Sequence, residues 1–269
     1  MTKPATALVT GASSGIGAVY ADRLARRGHG LVLVARDAAR LTAAAARLSA
    51  SHGVNVDVLA ADLGAAAGIA AVEARLRDDP AIGLIVNNAG LGPHGPALGA
   101  TAAENEAMMR LNVTALHRLT LAAAGVFVAR GQGAIINIAS VVALVPEQFN
   151  ATYVATKAFV LALTQGMQAE VGPQGVRLQA VLPGLTRTEI FERAGVDIAM
   201  LDPAMVMDAG DMVDAALAGF DQGELVTIPS LPNAADWQAF EAARQKLGPN
   251  LSHSRPAARY AATPAPAAA

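Results

Sequence analysis

The chain has 269 residues, of which 53% are hydrophobic and 16% are charged, and its net charge at pH 7 is −2. This composition is typical of a well-packed globular protein and unlike a disordered one, and the near-neutral charge gives no electrostatic basis for binding nucleic acid. The absence of cysteine excludes disulfides, thiolate metal ligands and a cysteine nucleophile, and the five histidines form no metal-binding pattern, so we expect no metal site.

The N-terminal sequence gives no indication of export. It carries one lysine and a short apolar run, which is too short for the apolar region of a signal peptide. The chain also lacks an uninterrupted apolar stretch of about 18 residues, the length that a membrane span needs. We therefore expect a soluble cytoplasmic protein without a membrane partner.

Short apolar segments alternate with longer segments of helical spacing along most of the chain. The predicted strands, rich in β-branched residues and bounded by Gly or Pro, are 6–10, 30–35, 54–61, 83–89, 133–140, 176–183 and 224–229. The predicted helices are about 15–28, 37–52, 65–78, 101–130, 151–172 and 208–220. This order predicts an α/β fold, a single-domain Rossmann-like doubly wound parallel sheet of about seven strands with helices on both faces.

No linker interrupts this alternation, so we predict one domain over residues 1–250. The low-complexity tail that follows, 251–269, is expected to be partly disordered.

The first motif, TGASSGIG at residues 10–17, follows the first predicted strand and opens the first predicted helix. Glycines in this position let backbone N–H groups approach a pyrophosphate, and the helix N-terminus adds partial positive charge. A tight structural turn would use the same glycines, but the strand and helix around them favour a dinucleotide site. The candidate cofactor residues here are Gly11, Ser13, Ser14, Gly15, Ile16 and Gly17.

The end of the second predicted strand bears on the choice of cofactor. An acidic residue about 20 positions beyond the glycines would bind the ribose 2′-hydroxyl of NAD. This strand instead ends at Ala35 and is followed by Arg36, which could form charge-assisted hydrogen bonds with a 2′-phosphate. An exposed strand-end charge is the alternative for Arg36, and Asp37 suits the N-cap of the next helix.

A second group of polar residues follows the fifth predicted strand. Tyr153 and Lys157 are four residues apart on a predicted helix and so share one face, and Ser140 ends the preceding strand. Ligands bind at the carboxyl ends of parallel strands, so Ser140 should lie near the glycine loop. Asn112 interrupts an otherwise apolar helical segment.

These residue types suit hydride transfer to or from a carbonyl carbon. Such a reaction needs a proton donor at the developing alkoxide, and the reverse reaction needs a base. A tyrosine with an unperturbed pKa of about 10 is a poor base at neutral pH. A neighbouring lysine ammonium and an oxidised, cationic nicotinamide would favour the phenolate, and a serine hydroxyl can orient the substrate oxygen.

These motifs together resemble those of the short-chain dehydrogenase/reductase family over about residues 5–230. The glycine loop is similar to the family's cofactor loop, and NNAG at 87–90 to the motif that supports the sheet and lines the adenosine. PGLTRT at 183–188 resembles the segment that contacts the nicotinamide carboxamide. The resemblance implies a catalytic tetrad of Asn112, Ser140, Tyr153 and Lys157.

The resemblance also implies roles within the tetrad and a cofactor. The lysine would also bind the nicotinamide ribose, and the asparagine would hold a water of a proton relay through a main-chain kink. Arg36, with no acid before it, resembles the NADP-preferring members. The further cofactor residues implied are Asp62 beside the adenine, Leu63, Asn88, Ala89, Gly90, Pro183, Gly184, Thr186 and Thr188.

The assembly expected from the resemblance is at least a dimer. In the family, the helices that correspond to 101–130 and 151–172 pair across a dimer axis. The last forty residues are longer and more polar than the ends of many tetrameric members. We therefore expect a homodimer or a homotetramer.

We predict an NADP(H)-dependent oxidoreductase, a carbonyl reductase or secondary alcohol dehydrogenase, that acts on a small-molecule substrate, a hydrophobic ketone or alcohol. The rivals are a 3-oxoacyl-type reductase and a non-catalytic NADP-sensing regulator on the same fold.

The segment 188–207, rich in methionine and interrupted by Gly195 and Pro203, is predicted to be a substrate lid. His94 could reach the pocket rim or lie in a solvated loop. The predicted substrate residues are Val141, Val142, Leu144, Gln148, Leu185, Phe191 and Met205.

Overall fold

The computed structural model describes residues 4–93, 95–189 and 200–260. The chain divides into two compact units, Met1–Ser230 and Leu231–Ala269. The division falls twenty residues before the domain boundary predicted from the sequence. The first unit contains every residue that the sequence assigns to the site.

The first unit is built on a parallel sheet of seven strands in the order β3-β2-β1-β4-β5-β6-β9. These strands are β1 (Thr6–Thr10), β2 (Leu31–Ala35), β3 (Val56–Ala60), β4 (Ile82–Asn87), β5 (Gly133–Ile138), β6 (Val176–Val181) and β9 (Val226–Thr227). The inner strands are almost fully buried because helices cover both faces, whereas β3 at the edge alternates with exposed positions. The predicted fold class is confirmed.

The helices cover the two faces of the sheet. They are α1 (Gly15–Arg26), α2 (Ala38–His52), α3 (Ala66–Asp78), α4 (Ala102–Met109), α5 (Leu116–Arg130), α6 (Ala151–Val171) and α7 (Ala209–Asp221). Tyr20 of α1 and Met212 of α7 belong to one buried core with β1 and β2. Phe127 of α5 and Met167 of α6 belong to the core on the opposite face.

The predicted helix over 101–130 is wrong in one respect, because a π-helical turn, Arg110–Ala115, separates α4 from α5. A π turn inserts an extra residue and frequently marks a functional site. Within the described residues, Ala102–Arg130 is the one stretch with the length and apolarity of a membrane span. Leu119 and Phe127 of this stretch are fully buried in the core, whereas Met109 and Leu121 are exposed.

The order in which the chain adds strands to the sheet reverses between β1 and β4, which are neighbours near its middle. In open α/β sheets, ligands bind at such a point, beyond the carboxyl ends of the strands. A second pair of short strands, β7 (Thr186–Arg187) and β8 (Met207–Asp208), lies outside the main sheet. This pair joins the two ends of the segment predicted to be a lid, whose middle, 190–199, lies outside the described residues.

The second unit contains α8 (Ala234–Lys246), which begins at an N-cap formed by Asn233. The Asn233 side chain accepts a hydrogen bond from Ala235 N at 3.0 Å. The rings of Trp237 and Phe240 contact each other with centroids 5.5 Å apart. The partial disorder expected of the tail stays a prediction, as does the oligomeric state, and residues 261–269 lie outside the described part of the chain.

Candidate active site

The glycine loop joins the end of β1 to the start of α1 and is held too closely for side chains. Gly11 has a φ of +67°, and a Cβ there would lie 2.7 Å from Nδ2 of Asn88. A Cβ on Gly17 would collide with the carbonyl oxygen of Gly11. Both positions therefore require glycine. The helix that follows has Ser14 at its N-cap position and begins with Gly15 and Ile16, so its N-terminal N–H groups face the carboxyl edge of the sheet.

Thr10 and Asn88 join the glycine loop to the end of β4. The Thr10 hydroxyl donates to Val86 O at 3.3 Å and accepts from the backbone N–H groups of Asn88 and Ala89 at 2.9 and 3.0 Å. The Asn88 amide donates to Thr10 O at 2.9 Å. The two predicted cofactor motifs, TGASSGIG and NNAG, are thereby held as one surface that ends at Gly90. Thr10, the first residue of the TGASSGIG motif, is a positioning residue that was not among the predicted site residues.

The carboxyl ends of β2 and β3 carry the residues predicted to bind the adenosine half of a cofactor. Arg36 is exposed, and no carboxylate in the described residues lies within ion-pairing distance of it. Asp37 caps α2 by accepting from Arg40 N at 3.0 Å, as predicted. Asp62 is exposed and accepts from Gly64 N at 2.9 Å, while the neighbouring Leu63 is buried. The structure thus leaves the guanidinium of Arg36 available to an anion.

Asn112 lies in the π turn between α4 and α5 and is 2% exposed. Its side-chain oxygen accepts from Leu91 N at 2.8 Å, and its amide donates to Leu91 O at 2.9 Å. A third hydrogen bond joins the amide to the Thr156 hydroxyl at 3.3 Å. This polar residue therefore occurs in an apolar helix because it ties the loop after NNAG to the helix that carries Tyr153.

Ser140 follows β5 and caps a short 3-10 turn, Val141–Leu144. Its hydroxyl oxygen accepts from Val142 N at 3.3 Å, and the Ser140 side chain lies close enough to the Tyr153 hydroxyl to lower the pKa of that phenol. The Ser140 hydroxyl is also 3.3 Å from Pro183 O, the first residue of the PGLTRT segment. These contacts place the ends of β5 and β6 beside the start of α6.

Tyr153 and Lys157 lie one turn apart on α6, which begins where Asn150 accepts a hydrogen bond from Tyr153 N at 2.9 Å. The Lys157 ammonium is 5.7 Å from the centroid of the Tyr153 ring. It also donates to Ile138 O at 3.0 Å and is almost completely buried. The predicted shared face is therefore present, with the cation beside the phenol.

The pKa values of this pair are shifted by burial. Loss of hydration raises the pKa of the Tyr153 phenol to about 12, and the hydrogen bond with Ser140 opposes that rise. Burial also lowers the pKa of Lys157 to about 8. The direction at Tyr153 is opposite to the lowering expected from the ammonium, because desolvation of the buried phenolate is the largest effect on this pKa.

The PGLTRT segment passes from the end of β6 to the glycine loop. Thr186 is buried and donates to Gly184 O at 3.1 Å. Thr188 lies against Gly15, where an added Cβ would be 3.3 Å from the threonine side chain. The segment therefore places Thr188 at the carboxyl edge of the sheet, beside the loop predicted to hold the pyrophosphate.

The predicted substrate residues differ in how far they are exposed to solvent. Val141, Val142 and Leu144 form the turn after Ser140, and Leu185 is half-buried in the segment after β6. Gln148 is exposed, and Met205 exposes 65% of its surface. Phe191 and His94 lie outside the described residues. The residues around Ser140 are thus apolar, and none of the predicted substrate residues carries a charge.

Three buried residues support the site without having been predicted as part of it. Asn87 donates to Asn137 Oδ1 at 2.9 Å, which joins the ends of β4 and β5 inside the protein. The Thr156 hydroxyl donates to Tyr153 O at 2.7 Å and accepts from Asn112. Asn87 belongs to the NNAG motif, so the sequence pointed to its neighbourhood. No sequence pattern indicated a role for Thr156, because its partner Asn112 is distant in the sequence.

Comparison with known proteins shows the family of this chain. The family model described as short chain dehydrogenase matches residues 5–198. A short-chain dehydrogenase from Sphingobium yanoikuyae, solved in complex with NADPH, is 54% identical, with a TM-score of 0.92 over 96% of this chain and 100% of its own.

Two further relatives are also named as dehydrogenases. The bulky-bulky ketone specific alcohol dehydrogenase from Comamonas testosteroni is 47% identical, with a TM-score of 0.89 over 97% of this chain and 100% of its own. Gluconate 5-dehydrogenase from Gluconobacter oxydans is 37% identical over 203 residues, which are 74% of this chain and 77% of the relative. The chain, with a parallel sheet that carries the glycine loop, NNAG, Ser140, Tyr153 and Lys157 at its carboxyl edge, belongs to the short-chain dehydrogenase/reductase family of oxidoreductases.

Proposed function

We propose that the protein is an NADP(H)-dependent carbonyl reductase or secondary alcohol dehydrogenase for hydrophobic ketones. The observation that carries this proposal is the grouping of Ser140, Tyr153 and Lys157 around one point at the carboxyl edge of the sheet. The Tyr153 hydroxyl can donate a proton, the Ser140 hydroxyl can orient the substrate oxygen, and the buried ammonium of Lys157 supplies a positive charge. The non-catalytic regulator is disfavoured because both Tyr153 and Lys157 are present.

The residues of the chain fit a dinucleotide phosphate. The close-packed glycine loop and the N-terminus of α1 suit the pyrophosphate, and the exposed Arg36 suits a 2′-phosphate. The NADPH complex of the Sphingobium relative supports this choice. Asp62 and Leu63 would border the adenine, and Thr188 would contact the nicotinamide end.

The proton chemistry belongs to Tyr153 and Lys157 of α6 and to Ser140, which follows β5. The bound reduced nicotinamide would supply the hydride to the carbonyl carbon. Ser140 would hold the carbonyl oxygen by a hydrogen bond, and Tyr153 would donate its hydroxyl proton to the developing alkoxide, leaving a phenolate. The ammonium of Lys157 would stabilise this phenolate, because an opposite charge at this distance favours the ionised form.

The apolar surroundings support a hydrophobic substrate. Val142 is buried and Val141, Leu144 and Leu185 are half-buried near Ser140, while Met205 is exposed at the end of the predicted lid. The Comamonas relative is described as specific for ketones with two bulky substituents. We propose that this chain also accepts ketones with an apolar group on each side of the carbonyl.

A panel of ketones tests the substrate class. The wild-type protein should oxidise NADPH faster with diaryl or aryl–alkyl ketones than with acetone, sugars or 3-oxoacyl thioesters, followed as loss of absorbance of NADPH. Met205→Ala should change the order of preference among ketones and leave the Kd for NADPH within about twofold, because this adaptable apolar side chain would face the substrate. A preference for sugars or thioesters would refute the substrate class.

The pH dependence of reduction should follow Lys157. The pKa of about 8 means that the ammonium is present at lower pH and is lost at higher pH, while Tyr153 stays protonated up to about 12. We expect kcat/KM for NADPH, which reports groups of the free protein, to be level below about pH 7 and to fall above about pH 8. A level profile up to about pH 10 would show that this charge is not needed.

A further inference from the structure

The segment after β6 crosses the carboxyl edge of the sheet. β6 pairs with β5 and β9, yet Thr188 lies beside Gly15, which follows β1, and Glu189 contacts Arg40, which belongs to the helix after β2. Two strands, β4 and β5, lie between β6 and β1. Since neighbouring strands are about 4.8 Å apart, residues 182–189 pass over about 14 Å of this edge.

An ion pair holds the far end of this crossing. Nη1 of Arg40 is 3.4 Å from Oε2 of Glu189, although the two residues are 149 positions apart in the chain. Arg40 also lies 3.6 Å from a carboxylate oxygen of Asp37, the cap of its own helix. The pair thus joins the helix beside Arg36 to the residue that follows Thr188.

The exposure of the pair determines how strong such a connection is. The side chains of Arg40 and Glu189 are 54% and 41% exposed. Ion pairs in this environment contribute little free energy and weaken as salt is added. A contact of this strength can hold a chain segment in place and still open on every catalytic cycle.

We propose that Arg40 and Glu189 form a latch over the cofactor groove and slow the release of the bound dinucleotide. This inference rests on the proposed binding of NADP(H) between the glycine loop and the PGLTRT segment. Both residues are positioning residues that act through the crossing segment. Release of product or cofactor limits turnover in many enzymes. Loss of the Arg40–Glu189 pair should therefore change the rate constant for cofactor release more than the rate of the chemical step.

Stopped-flow measurement of cofactor release tests the latch without turnover. Protein loaded with NADPH is mixed with excess NADP+, and the loss of bound-cofactor fluorescence gives the dissociation rate constant. Glu189→Gln should raise this rate constant about two- to fivefold, the effect that one exposed ion pair provides. Added NaCl should raise the wild-type rate constant and have less effect on the variant.

The matched control is the pair formed by Arg27 and Asp221, which is similarly exposed and joins the C-terminal ends of α1 and α7. Asp221→Asn should leave the release rate unchanged. An equal increase in Glu189→Gln and Asp221→Asn would overturn the latch, because it would reflect general destabilisation.

The charge-exchanged double variant Arg40→Glu/Glu189→Arg separates the latch from direct phosphate binding. With NADH as the probe, which lacks the 2′-phosphate, each single change should speed release and the double variant should restore the slow rate. Unchanged release in Glu189→Gln, with an effect of Arg40→Gln on NADPH only, would make Arg40 a phosphate ligand and overturn the latch. A wild-type protein that binds neither cofactor would overturn the proposed function as well.

Discussion

Tyr153→Phe should lower kcat for ketone reduction by about 10²- to 10⁴-fold, the contribution typical of a positioned general acid. The substitution removes only the hydroxyl, so the ring should still pack beside Lys157 on α6. The Kd for NADPH and the thermal unfolding temperature should stay close to those of the wild type. Steady-state kinetics and fluorescence titration measure these quantities.

The chain provides a matched control for this substitution. Tyr20 is fully buried in α1, and its hydroxyl has no hydrogen-bond partner among the residues that the structure describes. Tyr20→Phe should therefore keep full activity. If Tyr153→Phe retained a tenth of the wild-type kcat, Tyr153 would not be the proton donor.

Arg36→Ala should raise the KM for NADPH about tenfold or more and leave the KM for NADH nearly unchanged. A charge-assisted hydrogen bond contributes about 1.5–3 kcal/mol, and about 1.4 kcal/mol corresponds to a factor of ten. Arg36 is exposed and has no carboxylate partner in the described residues, so its removal should not unfold the protein. Initial rates with each cofactor provide the measurement.

Arg77→Ala is the control for the cofactor test. Arg77 is an exposed arginine at the end of α3 whose partner is its neighbour Asp78. Its removal should change neither KM. Equal effects of Arg36→Ala on NADPH and NADH would refute the assignment of Arg36 to the 2′-phosphate.

The sequence patterns predicted the strands and helices of the first unit closely, because local properties specify them. β1 and the start of α1 follow from an apolar run, three glycines and a helical spacing of apolar residues. The last strand was predicted at 224–229 but is only Val226–Thr227, because it pairs with β6 over two residues. Pairing between distant strands is not visible in a local pattern.

Asn112 shows where prediction from sequence stops. The sequence marked it as a polar residue in an apolar helix, but the predicted helix was continuous. The structure has a π turn at this point, and the amide bonds both backbone groups of Leu91. The reason for the interruption is a contact across 21 residues, which the helical spacing alone could not indicate.

The sequence by itself determined the fold class and the family and predicted the residues of the proposed chemistry, because glycine spacing, the alternation of strands and helices and the Tyr153–Lys157 interval are local signals. Only the tertiary structure decided which contacts position these residues and in which direction their pKa values shift. The pKa shifts of Tyr153 and Lys157 depend on burial by distant segments, and the Arg40–Glu189 contact depends on the path of the chain over the sheet edge. Desolvation and long-range pairing arise only when the chain is folded, so composition and spacing cannot express them.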